Sequence, residues 1–175
     1  MADEPMRIAL IGCNNDTLGL VRAIVRSGVH SVASIHNADA HREKLSDLVP
    51  GAVWSEHWEA LLVSGEADAV IVSQHADTIV FEDQCRKLVQ AGVPLVAMHP
   101  LSDSLFAYEL EMMREEAGGV ILAFASGFGH PAFRNLADLI DAGESSEIGV
   151  AEQLVIERHL PARDRASVLN VLAQD

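Results

Sequence analysis

The feature that most constrains this chain is an alternation of short apolar runs with amphipathic stretches, repeated from residue 7 to residue 125. It begins at Arg7-Ile8-Ala9-Leu10-Ile11-Gly12, an apolar run after a polar lead, which reads as a strand buried on both faces and ending at a glycine. Between Asp16 and Ser27, Leu18, Val21, Ile24 and Val25 recur at helical spacing, and Gly28 supplies the stop. Ser31 to His36 reads as the next strand, and Asp39 to Val49 as a polar helix closed by Pro50-Gly51. An extended piece at Ala52 to Trp54, a brief helix at Trp58 to Val63 and an apolar strand at Ala69 to Val72 continue the series. The long helix Asp77 to Gln90, the strand Pro94 to Met98, the helix Ser102 to Ala117 and the strand Val120 to Ala125 extend it.

Buried strands that take turns with helices need crossover connections, so the expected class is α/β: a Rossmann-type, doubly wound parallel sheet covered on both faces. The pattern changes after Gly129, where a helix from Pro131 to Ala142 and a strand from Ile148 to Ile156 precede a tail that is helical at Ala166 to Ala173. We therefore expect one dinucleotide-type domain over residues 1–128 and a short helix-strand remnant over 129–175. A length of 175 residues suits one domain and an appendage rather than two full domains.

Composition narrows the partners. A formal net charge of −14 repels polyphosphate backbones and anionic bilayers, which argues against nucleic acid and membrane surfaces. No apolar run reaches the length of a membrane span, and the acidic start Met-Ala-Asp-Glu-Pro-Met lacks the basic-then-apolar form of a secretion signal, so a cytoplasmic location is expected. Cys13 and Cys85 lie far apart without ligand spacing and read as reduced packing residues. The eight histidines are scattered, with none paired on one helix face beside a carboxylate, so no metal site is expected; His36 reads as a strand end and His41 as part of a solvated helix. Trp54 and Trp58 read as anchors packed on the sheet, or else as a small stacking surface.

Gly12, between a strand and a helix, stands where dinucleotide folds place the loop that cradles the phosphates. Such a loop needs glycines because its turn is tight and the pyrophosphate must approach the backbone. In this chain the three glycine positions read Gly12, Asn14 and Thr17. Asn14 or Asn15 can take a left-handed backbone and keep the turn, while each side chain narrows the approach. Asp16 is expected to cap the N–H groups a phosphate would use, and to add negative charge there. The loop is therefore either a weakened phosphate site or an ordinary self-capped strand-to-helix turn.

Further along, Met98-His99-Pro100 at a strand end, Gly127-Phe128-Gly129-His130-Pro131 before a helix, and Glu147-Ile148-Gly149 follow in order. In this series, from about Met6 to Ile156, the chain resembles the Gfo/Idh/MocA oxidoreductases, the family of glucose-fructose oxidoreductase and inositol dehydrogenase. The resemblance implies a nicotinamide cofactor. It aligns the family's ribose-binding acid with Asn37, where no neighbouring Arg or Lys favours a 2′-phosphate, so NAD is expected over NADP, bound weakly or not at all. It also places Ser73, Gln74 and His75 along the nicotinamide half. The family's catalytic lysine, within Glu-Lys-Pro, aligns with His99, and Met98 replaces the acid before it. Asn170 and Gln174 stand where the family's second domain begins with an Asp and a His.

Two readings follow. One is a degenerate nucleotide-binding subunit that acts through a protein partner or a second copy of itself. The other is an active NAD-dependent dehydrogenase of a sugar or cyclitol hydroxyl that uses His99 in place of lysine and takes its second domain from another chain or from residues outside this sequence. A partner or second copy would also cover the strand edge at Ile148 to Ile156.

Overall fold

Among the described residues six short strands, all parallel, build a sheet in the order β3-β2-β1-β4-β5-β6. This is a computed structural model that describes residues 4–73, 77–98, 104–124, 135 and 138–142. The chain divides into two compact units, Met1–Phe124 and Ala125–Asp175. The expected strand at Ile148 to Ile156, the tail to Asp175 with Asn170 and Gln174, and most of the helix expected from Pro131 lie outside the described residues; Asp138–Asp141 is helical, and the Ala142 N–H donates to the Asp138 carbonyl at 3.1 Å.

The strands are β1 (Arg7–Ile11), β2 (Ser31–His36), β3 (Val53–Ser55), β4 (Ala69–Val72), β5 (Leu95–Met98) and β6 (Ile121–Phe124). The helices are α1 (Asn15–Ser27), α2 (Arg42–Leu48), α3 (Leu61–Ser64), α4 (Thr78–Gln90) and α5 (Ser104–Ala117). The sheet is an open doubly wound one, because alternate residues of each central strand feed two separate cores. Ala9, Ile11, Val70, Val72, Leu95 and Ala97 pack with Phe81, Leu88 and Phe106 on one face. Ile8, Leu10, Ile71 and Met98 pack with Leu18, Val21 and Leu45 on the other. A strand that buries both faces must be apolar at every position, which is why the runs at Ile8 to Ile11 and Val70 to Val72 show no polar alternation.

Three of the differences from the expected elements concern how a helix begins. The helix expected over Asp39 to Val49 begins as a 3-10 turn at Asp39–His41, with no side-chain cap on either segment. The expected helix at Trp58 likewise opens with a 3-10 turn, Trp58–Ala60, before α3. Both stretches lack a Ser, Asp or Asn placed to satisfy the first-turn N–H groups, and tighter turns consume those groups locally. The third difference is at α1, which starts at Asn15 under an Asn14 cap rather than at Asp16. The tryptophans join different cores: Trp58 is buried in the first cluster, and Trp54 packs partly buried against the second.

Candidate functional site

In an open parallel sheet, ligands bind beyond the C-terminal strand ends where the strand order reverses. Here the reversal lies between β1, which leads to β2 and β3, and β4, which leads to β5 and β6. Gly12 follows β1 and Ser73 follows β4, so these two residues flank the crevice. Gly12 has φ +69, and a Cβ built on it would sit 3.4 Å from the Ser73 Cβ. Its N–H donates to the His36 carbonyl at 2.8 Å, and the Ser73 N–H donates to the Ile11 carbonyl at 2.9 Å, which carries the sheet ladder one residue past the strands on both sides. The left-handed residue of the loop is therefore Gly12. Asn14 is extended, with φ −124, and Asn15 is already helical, so neither takes the left-handed backbone expected of them.

The loop is closed by a chain of hydrogen bonds that runs from half-buried Asn14 to buried Thr17 and Ser73. Asn14 Oδ1 accepts from the Thr17 N–H at 2.9 Å and from the Thr17 hydroxyl at 2.9 Å. The Thr17 and Ser73 hydroxyls lie 2.8 Å apart. An amide oxygen only accepts, so the single Thr17 proton goes to Asn14 and the Ser73 proton must go to Thr17. Thr17 is 0% exposed and Ser73 3%. The third glycine position is thus occupied by a side chain whose polar atom is fully used. This corrects the expectation for Asp16: the cap is Asn14, which has an extended backbone and an acceptor oxygen directed at the Thr17 N–H, while Asp16 is exposed in the first turn.

What remains for a ligand is narrower than an all-glycine loop. Among the described residues the N–H groups of Asn15 and Asp16 have no hydrogen-bond partner, so two first-turn donors point out of α1. Beside them stand the Asp16 carboxylate and the half-buried Cys13, whose thiol burial pushes up to about 11 against the pull of the Lys44 ammonium. Cys13 is a protonated packing residue, as is Cys85, pushed up to about 12 chiefly by burial.

At the end of β2, Asn37 is exposed with φ +53, the single non-glycine residue with positive φ among those described. Asn tolerates that conformation better than most residues, so the position turns the chain and presents an amide at once. His36 before it is 4% exposed; its Nε2 lies 3.0 Å from the Ser34 hydroxyl, and its Nδ1 is buried without a partner among the described residues. Burial holds His36 below its ordinary value of 6.5, partly offset by Glu66, Glu59 and the His57 backbone, so the imidazole is neutral near pH 7. His41 is half-buried with its Nδ1 enclosed and without a partner among the described residues, not on a solvated helix as expected.

Gln74 and His75 after β4, and His99 after β5, lie outside the described residues. Met98 is described, and its side chain is 1% exposed in the second core, so only its backbone can face a ligand. Sequence reasoning missed the Thr17–Ser73 pair, whose members come from elements far apart in the chain. No group of three or more His, Cys, Asp or Glu among the described residues is arranged to hold a metal ion, and no helix among them is long and apolar enough to cross a membrane.

No protein-family model and no curated protein matches the chain. Solved structures do. The 3-ketoreductase KijD10 from Actinomadura kijaniata, in complex with NADP, is 25% identical over 82% of this chain and 46% of its own, with a TM-score of 0.63. A protein assigned as an NADPH-dependent oxidoreductase from Desulfitobacterium hafniense is 21% identical over 80% of this chain and 40% of its own, at TM-score 0.67. The oxidoreductase yvaA of Bacillus subtilis is 15% identical over 81% of this chain and 40% of its own, also at 0.67. The chain spans less than half the length of each, and it shares the α/β fold of the part of each that it matches.

Proposed function

We propose that this chain is an oxidoreductase-like subunit that binds a nicotinamide dinucleotide weakly and depends on a second protein chain, or a second copy of itself, for the rest of its site. The observation that carries this reading is the crevice at the strand-order reversal, where left-handed Gly12 lies against Ser73 and the N–H groups of Asn15 and Asp16, without partners among the described residues, mark the start of α1. Those donors and the positive end of a 13-residue helix suit a diphosphate. The Asp16 carboxylate works against it, and the Asn14 oxygen has already taken the Thr17 N–H, which supports weak binding.

A bound nicotinamide supplies hydride transfer, and the protein's part is to place it against a carbonyl or hydroxyl. A sugar-like substrate suits that chemistry. The residue for the accompanying proton would be His99, directly after the buried end of β5; in this second reading the chain is active once its partner is present.

The experiment is a titration of NADH and NADPH followed by energy transfer from Trp54 and Trp58, on the full chain and on Asn14→Gly. Saturable binding that tightens in the variant supports the proposal. Absence of binding in both removes the dinucleotide reading, and a strict monomer at high concentration that nonetheless binds tightly and turns over removes the partner dependence.

A further inference from the structure

We propose that the outer face of α5 is the surface on which two copies of this chain meet, helix against antiparallel helix across a two-fold axis at Tyr108. It rests on the part of the reading above that calls for a second copy, and holds whether or not a nucleotide binds. α5 is apolar on two sides. Phe106, Leu110 and Met113 turn into the first core, where Phe106 meets Phe81 edge to face. Leu105, Tyr108 and Met112 recur at i, i+3 and i+7 on the opposite side, and they are 74%, 64% and 47% exposed. Ile79, also largely exposed, lies one turn before Glu82 on the side of α4 that meets α5, and widens the stripe. A single exposed apolar residue needs no explanation, whereas an aligned set marks an interaction site.

Charge selects the occupant. At a net charge of −14 two copies repel each other, so self-association needs a surface whose acids are already paired. Arg86 binds Glu82 at 3.1 Å and Glu109 at 2.8 Å, and Arg114 binds Glu111 at 2.7 Å, which neutralises the border of the stripe. The remaining acids of α5, Glu115 and Glu116, sit at its C-terminal end, while Ser104 to Tyr108 carries no charge. An antiparallel copy sets those acids against the positive start of the facing helix; a parallel copy sets them against each other. The stripe also matches itself in the antiparallel sense. With Tyr108 at the axis, Leu105 of one copy falls on Met112 of the other, apolar on apolar, and the two-fold makes each such contact twice.

The test is sedimentation equilibrium of the full chain across the micromolar range, without nucleotide. The expected result is a monomer–dimer equilibrium that Tyr108→Glu weakens by at least about a hundredfold, since the change enters a two-fold interface twice. Val63→Glu, an exposed apolar position on α3 away from the stripe, should leave it unchanged. Under mild oxidation a chain carrying Tyr108→Cys should cross-link to its own copy, and Leu105→Cys to a chain carrying Met112→Cys rather than to itself. A dimer indifferent to Tyr108→Glu, or Leu105→Cys that joins only its own kind, overturns the proposal and leaves a second copy to bind elsewhere. A monomer at every concentration overturns it together with the second-copy reading, and leaves a different protein as the partner. A monomer whose urea midpoint falls with Tyr108→Glu overturns it by showing that the chain covers the stripe itself.

Discussion

The two ends of β1 are closed in opposite ways. At its N-terminal end Arg7 holds Asp68 through its backbone N–H at 2.7 Å and its guanidinium at 3.1 Å, and gives Nη2 to the Gly65 carbonyl. Both side chains are largely in water, so each group could turn to solvent at little cost. At its C-terminal end the partners are buried neutral hydroxyls and a half-buried amide, beside a histidine whose Nδ1 has no partner among the described residues and two left-handed residues. Water satisfies the first end; only the fold satisfies the second. Buried polar groups and unusual backbone are costly, and this chain concentrates them at the edge where its fold places a ligand.

The contrast can be broken most forcefully at Thr17. Thr17→Val keeps the shape, removes the hydroxyl and leaves Ser73 without its acceptor, and should cost about 1–3 kcal/mol in urea unfolding. Ser73→Ala added to it should cost little more, because the two act as one unit; full additivity would dissolve the proposed chain. Gly12→Ala should cost about 1–2 kcal/mol, since the left-handed backbone must bear a Cβ that also meets Ser73.

Acid should act on the same end. A buried base with a lowered folded pKa binds its proton more readily when unfolded, so His36 contributes stability above about 6.5 that is progressively lost as pH falls below it. His36→Gln should flatten that part of the stability profile, and an unchanged profile would show that Glu59 and Glu66 fully compensate. Asn14→Gly should cost about 1–3 kcal/mol, because glycine is a tolerable cap but the buried Thr17–Ser73 pair loses the acceptor for one of its protons, while the approach to the loop opens. Arg7→Ala should leave the urea midpoint within measurement error; a large shift there would erase the difference between the two ends.

Much of the frame was legible in the sequence. The strands Ser31 to His36 and Ala69 to Val72 have the expected bounds, because polar or turn residues flank their apolar runs on both sides. Gly12 was legible for a similar reason: a glycine between strand and helix has few other uses. The rest depended on distance in the chain. Nothing near Thr17 announces Ser73, and Asp16 looked like the cap because an acid in the first turn commonly serves there, whereas Asn14 two residues earlier has both the backbone and the oxygen for it.

The hydroxyl chain from Ser73 through Thr17 to Asn14 has a consequence for how a ligand would arrive. It ties the first turn of α1 to the end of β4, so the loop does not need to assemble around its guest. Association at such a preformed mouth proceeds in one step, with a rate that rises linearly with ligand concentration and shows no plateau from a slow rearrangement. Substitutions that loosen the chain would then show up as a saturating on-rate before they showed up as an unfolded protein.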